Sequence, residues 1–186
     1  MFLNFKNKKI QVYIKWTQDE FAYDIKFGKI LFSIPESRGF NIPELEHILH
    51  QDSRWVESRL NMTKEMFLVK RTRHELFLIL KKYVEKYEQV MNVMIKRIRI
   101  SEKPTKYEWA HNRNGYLSFS SECVELPEHI VEVLVVHEMT HMFSSYHDDL
   151  FYRKFEEFLP GARVRDDEIN LYVGCSSVVE EMKVYR

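Results

Sequence analysis

The sequence predicts an α+β fold, and three observations carry that expectation. Strand-like alternation fills the first 35 residues. Helical spacing of apolar residues takes over from Pro43. A second group of short strands then precedes two helices toward the C-terminal end. With 186 residues, the chain reads as a single domain over 1–162 followed by a tail, 163–186, of no assigned role. Hydrophobic residues make up 45% and aromatics 14%, enough to build a core and too many for a disordered chain. Lys+Arg and Asp+Glu number 28 each, so no global field draws the chain to nucleic acid or to an anionic membrane.

Each element has a local reason. Ile10, Val12, Ile14 and Trp16 alternate with polar residues, the period of a half-buried strand. Phe21–Phe27 and Ile30–Ile34 read as a hairpin turning near Lys26–Lys29, and Pro35 ends it. Pro43 suits a first helical turn with Asn41 as its cap. Leu45, Ile48, Leu49, Trp55, Val56 and Leu60 keep helical spacing to about Asn61, with a break at Asp52-Ser53. Thr63 and Met66 open a long helix over roughly 64–92, striped by Leu76, Leu80, Tyr83, Tyr87 and Met91. Its Lys/Arg run is a solvated face.

Ile95–Ile100 alternates as a strand, Tyr107–Trp109 is short and extended, Asn114-Gly115 is a turn, and Tyr116–Ser120 alternates again. Pro127 opens a helix running to about Ser145. A last helix, about Asp148–Leu159, has Asp148 or Asp149 at its cap and Pro160-Gly161 at its stop. Cys123 and Cys175 are too few for a disulfide-dense secreted scaffold. The first residues lack an apolar signal segment, and no stretch reaches the roughly 20 apolar residues of a membrane span. The expected location is the cytoplasm.

The chemistry concentrates in Val135-Val136-His137-Glu138-Met139-Thr140-His141 and in His147 beyond it. His137 and His141 lie four apart on an expected helix, so both imidazoles project from one face and can share a tetrahedral Zn²⁺. Glu138 stands where HExxH peptidases keep the general base that takes a proton from the metal-bound water. A catalytic zinc takes a third protein ligand and keeps one open position. His147 supplies the third if the helix ends near Ser144-Ser145 and the chain turns back; Glu156 and Glu157 are the alternatives. Apolar residues from Ile130 to Phe143 surround the motif, and burying two histidines and a glutamate without partners costs several kcal/mol, which a divalent cation removes.

These residues resemble the YgjP-like metal-dependent hydrolases, compact zincins related to the SprT and WLM groups. The resemblance rests on the HExxH-x5-H block, His137 to His147. Around it stand Trp55, the segment Trp109-Ala110-His111-Asn112, Gly115, the strand to Ser120, Pro127, and an aromatic helix ending in Leu159-Pro160. Two departures stand out: Ala110-His111-Asn112 replaces the usual Gly-Ser-Cys, and Ser120 replaces a usual Asn. The resemblance implies a zincin-like fold, with a small antiparallel sheet packed on the active-site helix, beside N-terminal β-strands and a long helix. It also implies that the strand at Gly115–Ser120 is the sheet edge that pairs with an extended substrate. His111, Tyr116, Phe119 and Ser120 are then candidate substrate contacts.

The sequence reading is a zinc-dependent metallopeptidase, with His137, His141 and His147 holding Zn²⁺ and Glu138 as the base. Its substrate is a peptide or protein, with a small molecule as a further possibility; nucleic acid and membrane are not expected partners. Two other readings stay open. One is hydrolysis of a nucleotide pyrophosphate at the same metal; the other is a binding module with a structural zinc. Cys123 is expected to be a small buried residue, and Tyr146 and Tyr152 to pack.

Overall fold

The computed structural model describes residues 1–102 and 109–172. The expected tail points Val173-Gly174-Cys175 and Val178-Val179, and Tyr107-Glu108 of the expected extended segment, lie outside the described residues. The class is α+β, as expected. The described chain divides into two compact units, residues 1–67 and 68–172, where the sequence reading expects one domain. Composition does not mark the division, because it falls in a short extended stretch with no Gly-, Pro- or Ser-rich linker.

The first unit is a four-stranded sheet with two helices. Strands β1 (Phe2–Phe5), β2 (Lys8–Thr17), β3 (Ala22–Lys26) and β4 (Lys29–Pro35) stand in the order β1-β2-β4-β3. Helices α1 (Ile42–Gln51) and α2 (Ser53–Thr63) follow, broken at Asp52 as expected. The Phe27-Gly28 turn between β3 and β4 has positive φ at both residues, 54° and 66°, the type I′ geometry that matches strand twist. A Cβ on Gly28 would also meet the Lys64 backbone at 3.2 Å. Alternate residues Ile10 and Val12 on β2, with Ile30, Phe32 and Ile34 on β4, join Leu45, Leu49 and Val56 in the core of this unit.

The second unit holds α3 (Arg73–Met91), β5 (Arg97–Ser101), β6 (Ala110–Arg113), β7 (Tyr116–Ser120), α4 (Glu128–Thr140), α5 (Asp149–Phe158) and α6 (Ala162–Tyr172). Its sheet order is β5-β7-β6. Two expectations are corrected here. The sheet is mixed, since β5 pairs parallel to β7 while only β6–β7 is antiparallel. The strand Tyr116–Ser120 is the central one, and β6 is the edge. Local alternation reports which face a residue takes but not which strand lies beside which.

Helix α3 begins nine residues later than expected. Thr72 and Glu75 form a capping box: the Thr72 hydroxyl accepts from Glu75 N (3.2 Å) and the Glu75 carboxylate accepts from Thr72 N (2.6 Å). Upstream, Met66 and Leu68 are buried two apart, a strand-like spacing, and Val69 N donates to Glu125 O. Helix α4 stops at Thr140 rather than Ser145. Thr140 Oγ1 donates back to Val136 O, and residues 141–148 form a turn. The stretch after Pro160-Gly161 forms α6, which the sequence reading did not assign to any element. Among the described residues, no helix is long and apolar enough to cross a membrane.

Candidate metal centre

Helix α4 is the floor of the site, and α3, α5, α6 and β6 all contact it. Nine of its residues are buried, including Ile130, Leu134 and Met139. Two matched clamps fix it to α3. Glu128 accepts from Lys82 Nζ (2.7 Å) and Tyr83 OH (3.0 Å); one turn on, Glu132 accepts from Lys86 Nζ (2.8 Å) and Tyr87 OH (2.9 Å). The four-residue step is the same on both helices, so the contacts set their register. These carboxylates therefore act as struts, and part of the basic run on α3 is bound to them instead of facing water alone.

His137 and His141 project from the last turn of α4. His147 comes back to them because the chain reverses after Thr140. Ser144 shapes the reversal: its carbonyl accepts from His141 Nδ1 (2.9 Å), and its hydroxyl donates to Asp148, whose carboxylate caps α5 by accepting from Phe151 N (2.9 Å). One ligand nitrogen from each of His137, His141 and His147 can be chosen so that all lie within 4.8 Å of one another. His147 Nε2 sits 2.9 Å from His137 Nε2.

The outward nitrogens of His137 and His141 are already committed. His137 Nδ1–H donates to Asp166 Oδ1 on α6 at 2.8 Å, as His141 Nδ1–H does to Ser144 O. Such bonds fix the tautomer and leave Nε2 as the lone pair facing the cluster. Burial lowers the pKa of His141 and of His147, and the neighbouring imidazoles lower both further, so the neutral, ligating form is favoured. A cluster of three imidazoles, two of them held by outer hydrogen bonds, is a donor set that suits a divalent ion such as Zn²⁺.

Phe151 forms the wall behind the rings. Its centroid lies 5.0, 4.8 and 4.7 Å from those of His137, His141 and His147. Glu138, one residue past the first histidine, is 6% exposed and lines the cleft. The Glu138 main-chain carbonyl accepts from Asn112 Nδ2 on β6 at 2.7 Å, which ties the edge strand to the active-site helix. The cleft has a volume of about 740 Å³ and runs between β6 and the helices, with His111, Tyr152 and Asp166 on its walls.

The other sequence candidates fall apart from this centre. Phe119 is 1% exposed and Ser120 is 4% exposed, so both belong to the packed interior, and Tyr116 is exposed away from the cleft. The expectation that they touch substrate followed from taking β7 as the edge. Glu156 accepts from Gly161 N and Arg163 N and caps α6, which lowers its pKa; Glu157 pairs with Lys154. Neither takes the place of His147. Cys123 is fully buried, its thiol pushed up to about 12 by burial, with Sγ 3.5 Å from Trp109 O. Asp166 was missed altogether. The available signal was Ala162, Ile169 and Tyr172, seven and ten residues apart along a helical face that also carries Asp166.

Imidazoles on one helix, completed by a third from the following turn, with a buried glutamate beside them, define a metal-dependent hydrolase of the α+β class. Residues 61–172 match the family described as YgjP-like, metallopeptidase domain, and the chain belongs to that family. Membership implies a metal cofactor. Among solved structures, the metallopeptidase zymogen of Pyrococcus abyssi abylysin overlaps with a TM-score of 0.43 at 22% identity, covering 48% of this chain and 90% of that one. No curated protein matches.

Proposed function

We propose that the chain is a zinc-dependent peptidase. The single observation that carries this is the convergence of the His137, His141 and His147 nitrogens beside the buried Glu138. Zinc held by the three imidazoles would acidify a water molecule and polarise the scissile carbonyl. Glu138 orients the attacking water, accepts its proton and delivers it to the leaving amine. Asp166 and the Ser144 carbonyl keep the His137 and His141 rings turned so that Nε2 faces inward. The substrate main chain lies along the outer edge of β6, where an extended peptide can add as a further strand.

The test is metal content by elemental analysis, together with cleavage of an unstructured protein beside a panel of nucleoside triphosphates. Wild type should bind one zinc and cleave the protein. Glu138→Gln should keep the metal and lose turnover by orders of magnitude, and His147→Ala should lose the metal. Turnover of triphosphates without peptide cleavage, or a biological role that survives Glu138→Gln, would overturn the reading.

A further inference from the structure

The face of the β5-β7-β6 sheet opposite Leu117 and Phe119 is basic. Register places Arg97 beside Tyr116 and Arg99 beside Ser118 on one side of β7, and Arg113 beside Tyr116 and His111 beside Ser118 on the other. Alternation then puts these six residues on one face, while Leu117 and Phe119 point into the packed interior. A cavity of about 230 Å³ lies on that face, and no carboxylate lines it among the described residues.

This concentration is unusual in a chain with equal numbers of acids and bases. Elsewhere in the same unit several basic side chains pair with carboxylates: Lys82 with Glu128, Lys86 with Glu132, Arg73 with Glu102. Arg97, Arg99 and Arg113 are exposed, and among the described residues their one side-chain hydrogen bond is from Arg99 Nε to the neutral Ser118 hydroxyl at 3.1 Å. Like charges gathered on one face of a sheet repel, so an anionic ligand would stabilise the face. The face is also continuous with the cleft, since His111 and Arg113 line both.

We infer that this arginine face selects peptides carrying acidic side chains at alternate positions. The inference rests on the peptidase reading and names the substrate class of the same site. A peptide strand added to the free edge of β6 turns every second side chain to the face that holds His111 and Arg113. A carboxylate at the nearest of those positions meets Arg113 on β6, whose fork can bind it in bidentate fashion, while Arg97 and Arg99, two strands further in on β5, add longer-range attraction. A nucleic-acid strand fits less well. Among the described residues, the one aromatic ring lining this cavity is Tyr116, and it already carries Lys96 Nζ 5.5 Å above it.

The experiment measures binding apart from cleavage. Labelled 12-residue peptides, identical except for Glu, Gln or Lys at alternate positions, are titrated by fluorescence anisotropy into zinc-loaded, full-length Glu138→Gln protein. The Glu peptide should bind about tenfold more tightly than the Gln peptide at low salt, less so at high salt, and the Lys peptide most weakly. Adding Arg97→Gln, Arg99→Gln and Arg113→Gln together should remove the preference. Arg113→Gln alone should reduce it about threefold and Arg97→Gln or Arg99→Gln alone by less, which keeps the test readable if the triple variant misfolds. Equal binding of the three peptides, a preference that survives the arginine changes, or tighter binding of a single-stranded oligonucleotide of equal charge would overturn the inference. Cleavage by wild type is scored separately, so a preference without hydrolysis sinks the peptidase reading while leaving the basic face intact.

Discussion

Asp166 on α6 accepts a hydrogen bond from Nδ1 of His137 on α4 at 2.8 Å, across 29 residues of chain. The carboxylate holds the ring and raises the basicity of its other nitrogen. Asp166→Asn keeps the shape but removes the charge. The expected outcome is a zinc affinity about 10–100-fold weaker, measured by competition with a chromogenic chelator, with the unfolding midpoint of the metal-free protein little changed. Unaltered affinity would show that α6 only packs against the site.

The wall behind the three rings makes a different prediction. Phe151 is fully buried and lies within 5.0 Å of each imidazole centroid. Phe151→Ala should cost about 3–5 kcal/mol by chemical denaturation, from lost burial plus the cavity left behind. Phe151→Leu refills most of that space and should recover more than half of the loss, while the rings lose the flat surface that aligns them. Zinc affinity should therefore fall more than stability does in the Leu variant.

The imidazoles also set a pH dependence. Burial holds the pKa of His141 and of His147 below the ordinary value of about 6.5. The unfolded chain then takes up protons at higher pH than the folded one, so stability rises with pH through this window. Above about pH 6.5 the rings are neutral in both states and contribute nothing; below it, their contribution opposes folding increasingly as pH falls. Thermal melts of metal-free protein should drop more steeply between about pH 7 and pH 5 in wild type than in His141→Gln. Parallel curves would refute it.

Much of this site was legible because its signals are local. The four-residue step from His137 to His141 fixes a shared helix face, and weak helix formers at Ser144-Ser145 anticipate the reversal that returns His147. The Asn114-Gly115 turn, with φ of 53° and 84°, and the Asp148 cap are equally short-range. What was not legible is non-local. The position of β7 between β5 and β6 depends on pairing across the chain, and taking β7 as the edge offered the buried Phe119 and Ser120 to a substrate. Helix α6 escaped notice because Asp166 occupies its inward face, where an apolar residue would have completed the stripe.

The start of α3 was legible and misread, and it yields a stability prediction. Thr72-x-x-Glu75 is a capping box in plain sequence, but Thr63 and Met66 suggested an earlier helical start. In the structure both reciprocal bonds form, and Thr72 Oγ1 also lies 2.8 Å from the Glu75 carboxylate. Thr72→Ala should destabilise the protein by about 1 kcal/mol, and Thr72→Ser by much less, because the serine hydroxyl can accept the same bond from Glu75 N. Urea denaturation followed by far-UV circular dichroism measures the difference. If Ala and Ser variants unfold alike, the box is not holding the helix that clamps Glu128 and Glu132, and its start is set by packing at Leu76 and Leu80 instead.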